Sequence, residues 1–142
     1  MENSTSTILS PVEFDPQLVT FIDDPQSRDH VLKTLSDLLY DQGKIKDGPA
    51  FYQAILEREQ IVSTGIGLGV AIPHAKFDDF DEFFVAVGIL PKKGVDWDAI
   101  DKTPVRVVFL IGGPSDRQAE YLQILSTITQ KIKEDDVRSK LV

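Results

Sequence analysis

The sequence predicts an α/β domain built on a mixed β-sheet, and three observations carry that expectation. Two segments in the first half of the chain and one near its end space their apolar residues as amphipathic helices do. Two short runs between them, "FFVAVGIL" and "VRVVFLIGG", are rich in Val, Phe and Ile and bounded by turn residues, as buried strands are. At 142 residues the chain is long enough for one domain with a core and too short for two ordinary ones, so residues 1–142 are read as a single domain.

Taken in order, the polar opening "MENSTSTILS" reads as a terminus flexible over residues 1–8, with room for an edge strand from Thr7 onward. The segment "RDHVLKTLSDLLYDQG" sets Val31, Leu32, Leu35, Leu38 and Leu39 at helical spacing, with Ser27 as N-cap and Gly43 as stop. "DGPAFYQAILEREQ" repeats the pattern with Asp47 as cap, Pro49 in the first turn and Phe51, Ala54 and Ile55 on one face. After a glycine-rich stretch come the two strands, Phe83 to Leu90 and Val105 to Gly113, joined by the charged, turn-forming "PKKGVDWDAIDKTP". From Asp116 a third helix carries Tyr121, Leu122, Leu125, Ile128, Thr129 and Ile132 as one stripe, and "DDVRSKLV" reads as the start of a fourth. Helices, strands and helices in that order make a layered α/β domain with a mixed sheet.

Composition narrows the chemistry. With no cysteine, disulfides, thiol nucleophiles, iron-sulfur clusters and the usual structural zinc sites are excluded, and no metal site or cofactor is expected. A formal charge of -8 without a Lys/Arg cluster argues against nucleic acid and biases the chain toward a basic protein or a small molecule as partner. No apolar run approaches a membrane span and the start lacks the pattern of a signal peptide, so the expected location is cytoplasmic, without membrane insertion.

The most informative stretch is "TGIGLGVAIPHAK", Thr64 to Lys76. Gly65, Gly67 and Gly69 recur at every second residue, which fits neither the dinucleotide-binding pattern nor a P-loop. They suit either a tight crossing of two backbones or the rim of a pocket. Pro73 fixes its own φ and holds Ile72 extended, so a strand "VAI" should run into a rigid corner with His74 displayed at its end. Neutral imidazole is a good nucleophile near neutral pH and can accept a phosphoryl group. Such transfer asks the protein for positioning and charge neutralisation, which loop amides, the Thr64 hydroxyl and the Arg58 guanidinium could supply. From the residues alone Arg58 reads more readily as a solvated helix terminus. The only other histidine, His30, falls in the first turn of a helix and is read as structural.

"REQIVSTGIGLGVAIPHAK", Arg58 to Lys76, closely resembles the active-site signature of the mannitol/fructose-type enzyme IIA domains of the bacterial phosphotransferase system, including their nitrogen-regulatory branch. The likeness continues through "GVDWDAIDKTPVRVVFLIGGP" and "YLQILSTI". It implies a mixed sheet flanked by helices on both sides. It further implies that His74 takes a phosphoryl group on its ε2 nitrogen from an HPr-like phosphocarrier, with Arg58 beside it and Thr64, Gly65, Gly67 and Gly69 shaping the pocket. The group would then pass to the cysteine of an enzyme IIB, or its presence would regulate a target protein. The lack of any cysteine or fused second domain leans the reading toward regulation, on the nitrogen-regulatory branch.

Two departures stand out. Many family members carry a second active-site histidine where this chain has Tyr121, and Ala75 replaces a usual glycine. The resemblance also implies one more helix beyond "RSKLV", so the expected C-terminal helix is cut short. Tyr121 opens a second reading, a binding module of the same fold that is phosphorylated weakly or not at all; a third is a small-molecule sensor holding an anion in the glycine pocket.

Overall fold

The computed structural model describes residues 16–61, 63–77, 80, 82–91 and 93–132. Residues 1–8, the option of a strand from Thr7 and the helix start in "DDVRSKLV" lie outside the described residues. A 3-10 turn at Pro16–Leu18 leads into β1 (Val19–Phe21), followed by α1 (Arg28–Asp41) and α2 (Gly48–Ile61). Three short strands come next, β2 (Gly65–Gly67), β3 (Val70–Ala71) and β4 (His74–Phe77), then β5 (Phe84–Ile89), β6 (Val107–Pro114) and α3 (Gln118–Ile132).

Both early helices begin where their cap residues stand. The Ser27 hydroxyl accepts from the His30 backbone N–H at 3.1 Å, and Asp47 Oδ1 accepts from Ala50 N–H at 3.0 Å, each satisfying a donor with no intrahelical partner. Just beyond α1, Gly43 adopts φ +76°, a left-handed geometry that a Cβ disfavours.

The strands form one mixed sheet in the order β1-β5-β6-β3-β2, with β4 also pairing to β6. β5 and β6 are antiparallel over Phe84↔Gly112 to Ile89↔Val107, while β1 runs parallel to β5 and both β3 and β4 run parallel to β6. Side chains of β5 alternate between two cores, as the pleat requires. Phe84 and Ala86 join Leu32, Leu35, Leu39, Phe51 and Ile55 on the face covered by α1 and α2. Val85, Val87 and Ile89 join Tyr121, Ile124 and Ile128 on the face covered by α3. Every residue of β5 and β6 is buried, which explains why their sequences read as continuous apolar runs. Gly88 lets α1 approach closely: a Cβ there would lie 3.4 Å from both methyl carbons of Leu35.

The sheet and its helical layers match the predicted fold class. The stripe of the third helix does not match in detail, since Leu122 is 53% exposed and Ile124 is buried. Residues three, four and seven beyond Tyr121 share its face, which selects Ile124, Leu125 and Ile128 and turns Leu122 outward. Truncating Leu35→Ala, fully buried where α1 meets β5, is expected to destabilise the fold by about 2–5 kcal/mol. Urea denaturation followed by circular dichroism checks this, and a loss below about 1 kcal/mol would contradict the packing described.

Candidate functional site

β3 and β4 lie one after the other along the same neighbour, Val70 and Ala71 opposite Val107 and Val108, then His74 opposite Ile111. Between them Pro73 has no N–H for the ladder, and its carbonyl accepts from Ile111 N–H at 2.9 Å. The strand is therefore interrupted rather than ended: His74 opens its second half. This corrects the expectation of a histidine at a strand's terminus. Ile72 turns its N–H to the Thr64 carbonyl at 3.0 Å, and its own carbonyl faces the imidazole.

The imidazole is held at both nitrogens. Nδ1 lies 3.0 Å from the Ile72 carbonyl oxygen, and Arg58 Nε donates to Nε2 at 3.2 Å. A carbonyl only accepts and a guanidinium only donates, so the ring is assigned as the Nδ1–H tautomer with a lone pair on Nε2. Burial lowers the His74 pKa from its ordinary 6.5; the Ile72 carbonyl opposes this, and the charges of Arg58 and Lys76 add to it. At neutral pH the ring is uncharged and nucleophilic at Nε2.

The two helical layers deliver the ring's neighbours. Arg58 comes from the last turn of α2 and Tyr121 from the first turn of α3. The Tyr121 ring packs on the imidazole at 5.3 Å between centroids, tilted by 54°. Tyr121 is only 4% exposed, and its hydroxyl has no hydrogen-bond partner among the described residues. Burial pushes its pKa well above the ordinary 10, with Arg58 pulling the other way, so the phenol remains an O–H donor.

Thr64 and the glycines make other contacts. The Thr64 N–H and hydroxyl both donate to the Glu59 carboxylate, at 2.7 Å each, and the Trp97 indole N–H donates to the Thr64 hydroxyl at 3.3 Å. Gly65 is pressed against Ala99, where a Cβ would come within 2.9 Å of its Cβ. Gly67 and Gly69 take φ +93° and +79° in the β2–β3 hairpin, beside the Asp101 carboxylate and the Pro104 carbonyl. These contacts are those of a tight backbone crossing. His30 sits in the first turn of α1, where its Nδ1 accepts from Gln26 N–H at 3.0 Å.

Glu59, 2% exposed, is the site-building residue that sequence reasoning missed. Its signal was present: Phe51, Ile55 and Glu59 stand four apart on the buried face of α2, so the carboxylate is carried inward with the core. A buried carboxylate needs donors, and Thr64 supplies two.

Residues 13–142 match the family model described as "Phosphoenolpyruvate-dependent sugar phosphotransferase system, EIIA 2". The chain belongs to this family. It is 34% identical to the "PTS system fructose-specific EIIA component" of Haloferax volcanii, over 100% of this chain and 89% of that protein. It is 33% identical to the "Nitrogen regulatory protein" of Escherichia coli K12, over 82% of this chain and 71% of that protein. Among solved structures, the nitrogen regulatory protein IIA-Ntr of Neisseria meningitidis superposes with a TM-score of 0.80 at 26% identity, over 89% of this chain and 86% of that one. Relatives of the EIIA chain thus carry both sugar-specific and nitrogen-regulatory names at nearly equal identity. Among its described residues, no helix is long and apolar enough to cross a membrane, and no group of three metal-binding side chains occurs.

In this EIIA chain, an NMR pH titration of His74 should give a midpoint below 6.5, and Arg58→Ala should raise it by removing a nearby positive charge. The sign for stability follows from the depressed value: below pH 6.5 the unfolded chain binds this proton more readily, so acid weakens the fold through His74. A midpoint above 6.5 would contradict the buried, cation-flanked setting. Glu59→Ala leaves two buried Thr64 donors unpartnered and should cost roughly 2–4 kcal/mol in denaturant unfolding. A neutral effect would mean that the loop does not depend on this carboxylate.

Proposed function

We propose that the chain is a phosphoryl carrier: His74 accepts a phosphoryl group at Nε2 from an HPr-like phosphocarrier, then passes it to an enzyme IIB or uses it to signal to a regulatory target. The observation that carries this reading is the pinned imidazole, with Nδ1–H held by the Ile72 carbonyl and the Nε2 lone pair facing a guanidinium. In the step, the Nε2 lone pair attacks phosphorus. The new N–P bond forms as the donor's N–P bond breaks, and that electron pair returns to the donor nitrogen. The Nδ1 proton stays on the ring, where the Ile72 carbonyl stabilises the positive charge that develops. No cofactor is consumed.

The remaining residues have distinct roles in this scheme. As phosphorus approaches, Arg58 shifts its donors from Nε2 to the phosphoryl oxygens, which bring close to two negative charges. The Tyr121 hydroxyl, buried beside the ring without a partner among the described residues, donates to one of those oxygens. Thr64, Gly65, Gly67 and Gly69 act indirectly, by fixing the hairpin that leads into Ile72 and Pro73. A lowered His74 pKa favours carriage over mere docking, because it keeps the nucleophile uncharged at neutral pH.

Incubation with phosphoenolpyruvate, enzyme I and HPr should place one acid-labile phosphate on the chain, located on His74 by mass spectrometry. His74→Ala should abolish labelling while the protein stays folded; labelling that persists in that variant would move the role elsewhere. Tyr121→Phe should slow transfer by roughly 10-fold, as expected for losing one hydrogen bond to a charged group. An unchanged rate would remove the phenol from the scheme.

A further inference from the structure

β4 places a second cation on the face that carries His74. Alternate residues of a strand share a face and lie roughly 7 Å apart, so Lys76 stands beside His74 along the strand. Its ammonium donates to Gln118 Oε1 at 2.7 Å and lies 4.8 Å from the centroid of the Tyr121 ring, the same ring that packs on His74. Phe83 backs that ring, stacked on Tyr121 at 6.2 Å; a Cβ at the facing Gly113, opposite Lys76 in the ladder, would strike Phe83. Lys76 is thus steered over Tyr121 by the first residue of α3 and by a ring fixed from behind.

Both partners of the ammonium among the described residues are neutral. Among the described residues, no carboxylate oxygen lies within 4 Å of it, although the chain has 23 acidic residues and a formal charge of -8. Among the described residues, Gln118 takes one of the three Nζ–H donors and the other two have no acceptor. The cation–π contact holds the charge without neutralising it. Its field reaches the imidazole, since Lys76 contributes to the lowering of the His74 pKa.

We infer that Lys76 is a phosphoryl-binding residue, the second cation that, with Arg58, grips the phosphoryl group on His74. The inference rests on the phosphoryl-carrier function proposed for His74. As the N–P bond to Nε2 forms and the donor's N–P bond breaks, Lys76 gives up no proton and forms no covalent bond. It donates a charge-assisted hydrogen bond to a phosphoryl oxygen from its place over the Tyr121 ring. Because the Tyr121 phenol is neutral, this part of the pocket draws its positive charge from β4.

The test compares the full chain with Lys76→Met and Lys76→Arg in single-turnover phosphorylation by HPr that has been phosphorylated with enzyme I and phosphoenolpyruvate. Methionine keeps an unbranched stem against the Tyr121 ring and removes the charge, so packing is retained while the cation is lost. The expected result is a Met variant about 10-fold slower or more, with an unchanged melting temperature and a raised His74 midpoint, and an Arg variant that recovers most of the rate. If the parent is labelled on His74 and the Met variant keeps its rate, or Met and Arg are equally slow, Lys76 has no such role. If the parent takes no label on His74, the carrier function itself fails and the role of Lys76 with it.

Discussion

The site depends on one break in one strand. Along β6, the chain pairs at Val70 and Ala71, pauses at Ile72 and Pro73, and pairs again from His74. Without an N–H, Pro73 cannot extend the ladder, and the Ile72 carbonyl is left turned toward the imidazole that follows two residues later. That single acceptor decides which ring nitrogen carries the proton and which carries the lone pair. The other features of the site keep this break where it is: the β2–β3 hairpin returns the Thr64 carbonyl to the Ile72 N–H, and β6 returns the Ile111 N–H to the Pro73 carbonyl.

The buried Glu59 ties this local arrangement to the core. A carboxylate on the inward face of α2 is costly unless fully hydrogen-bonded, and its two oxygens accept the N–H and hydroxyl of Thr64. The helix that projects Arg58 is thereby fastened to the loop that leads to His74. From the other side of the sheet, α3 contributes Tyr121. The imidazole therefore sits where both helical layers of the sandwich reach the same edge of the sheet, and its environment is a product of the whole fold.

The layers were legible because period-two and period-3.6 patterns record which face is buried; Ser27, Asp47 and Gly43 marked helix ends by local chemistry. β1, β2 and β4 were not read as strands, since three or four residues are too few for a pattern and their pairing is set by distant partners, whereas β3 falls within the expected strand "VAI". His74 and Arg58 stood out from the residues themselves, but their pairing came from the signature, and the 3.2 Å contact between them spans sixteen residues of chain. Glu59 was hidden by its charge, though its place four residues beyond Ile55 told otherwise. Lys76 stayed unread because its interest arises from Gln118 and Tyr121, 42 and 45 residues further along the chain.

The central claim is that the Ile72 carbonyl fixes the proton on Nδ1 and leaves the lone pair on Nε2. A long-range proton–nitrogen NMR spectrum of the unphosphorylated chain at pH 7 reads this directly. The account predicts a neutral His74 ring with a pyrrole-like, protonated Nδ1 and a pyridine-like Nε2. A protonated Nε2 with a bare Nδ1 would contradict it.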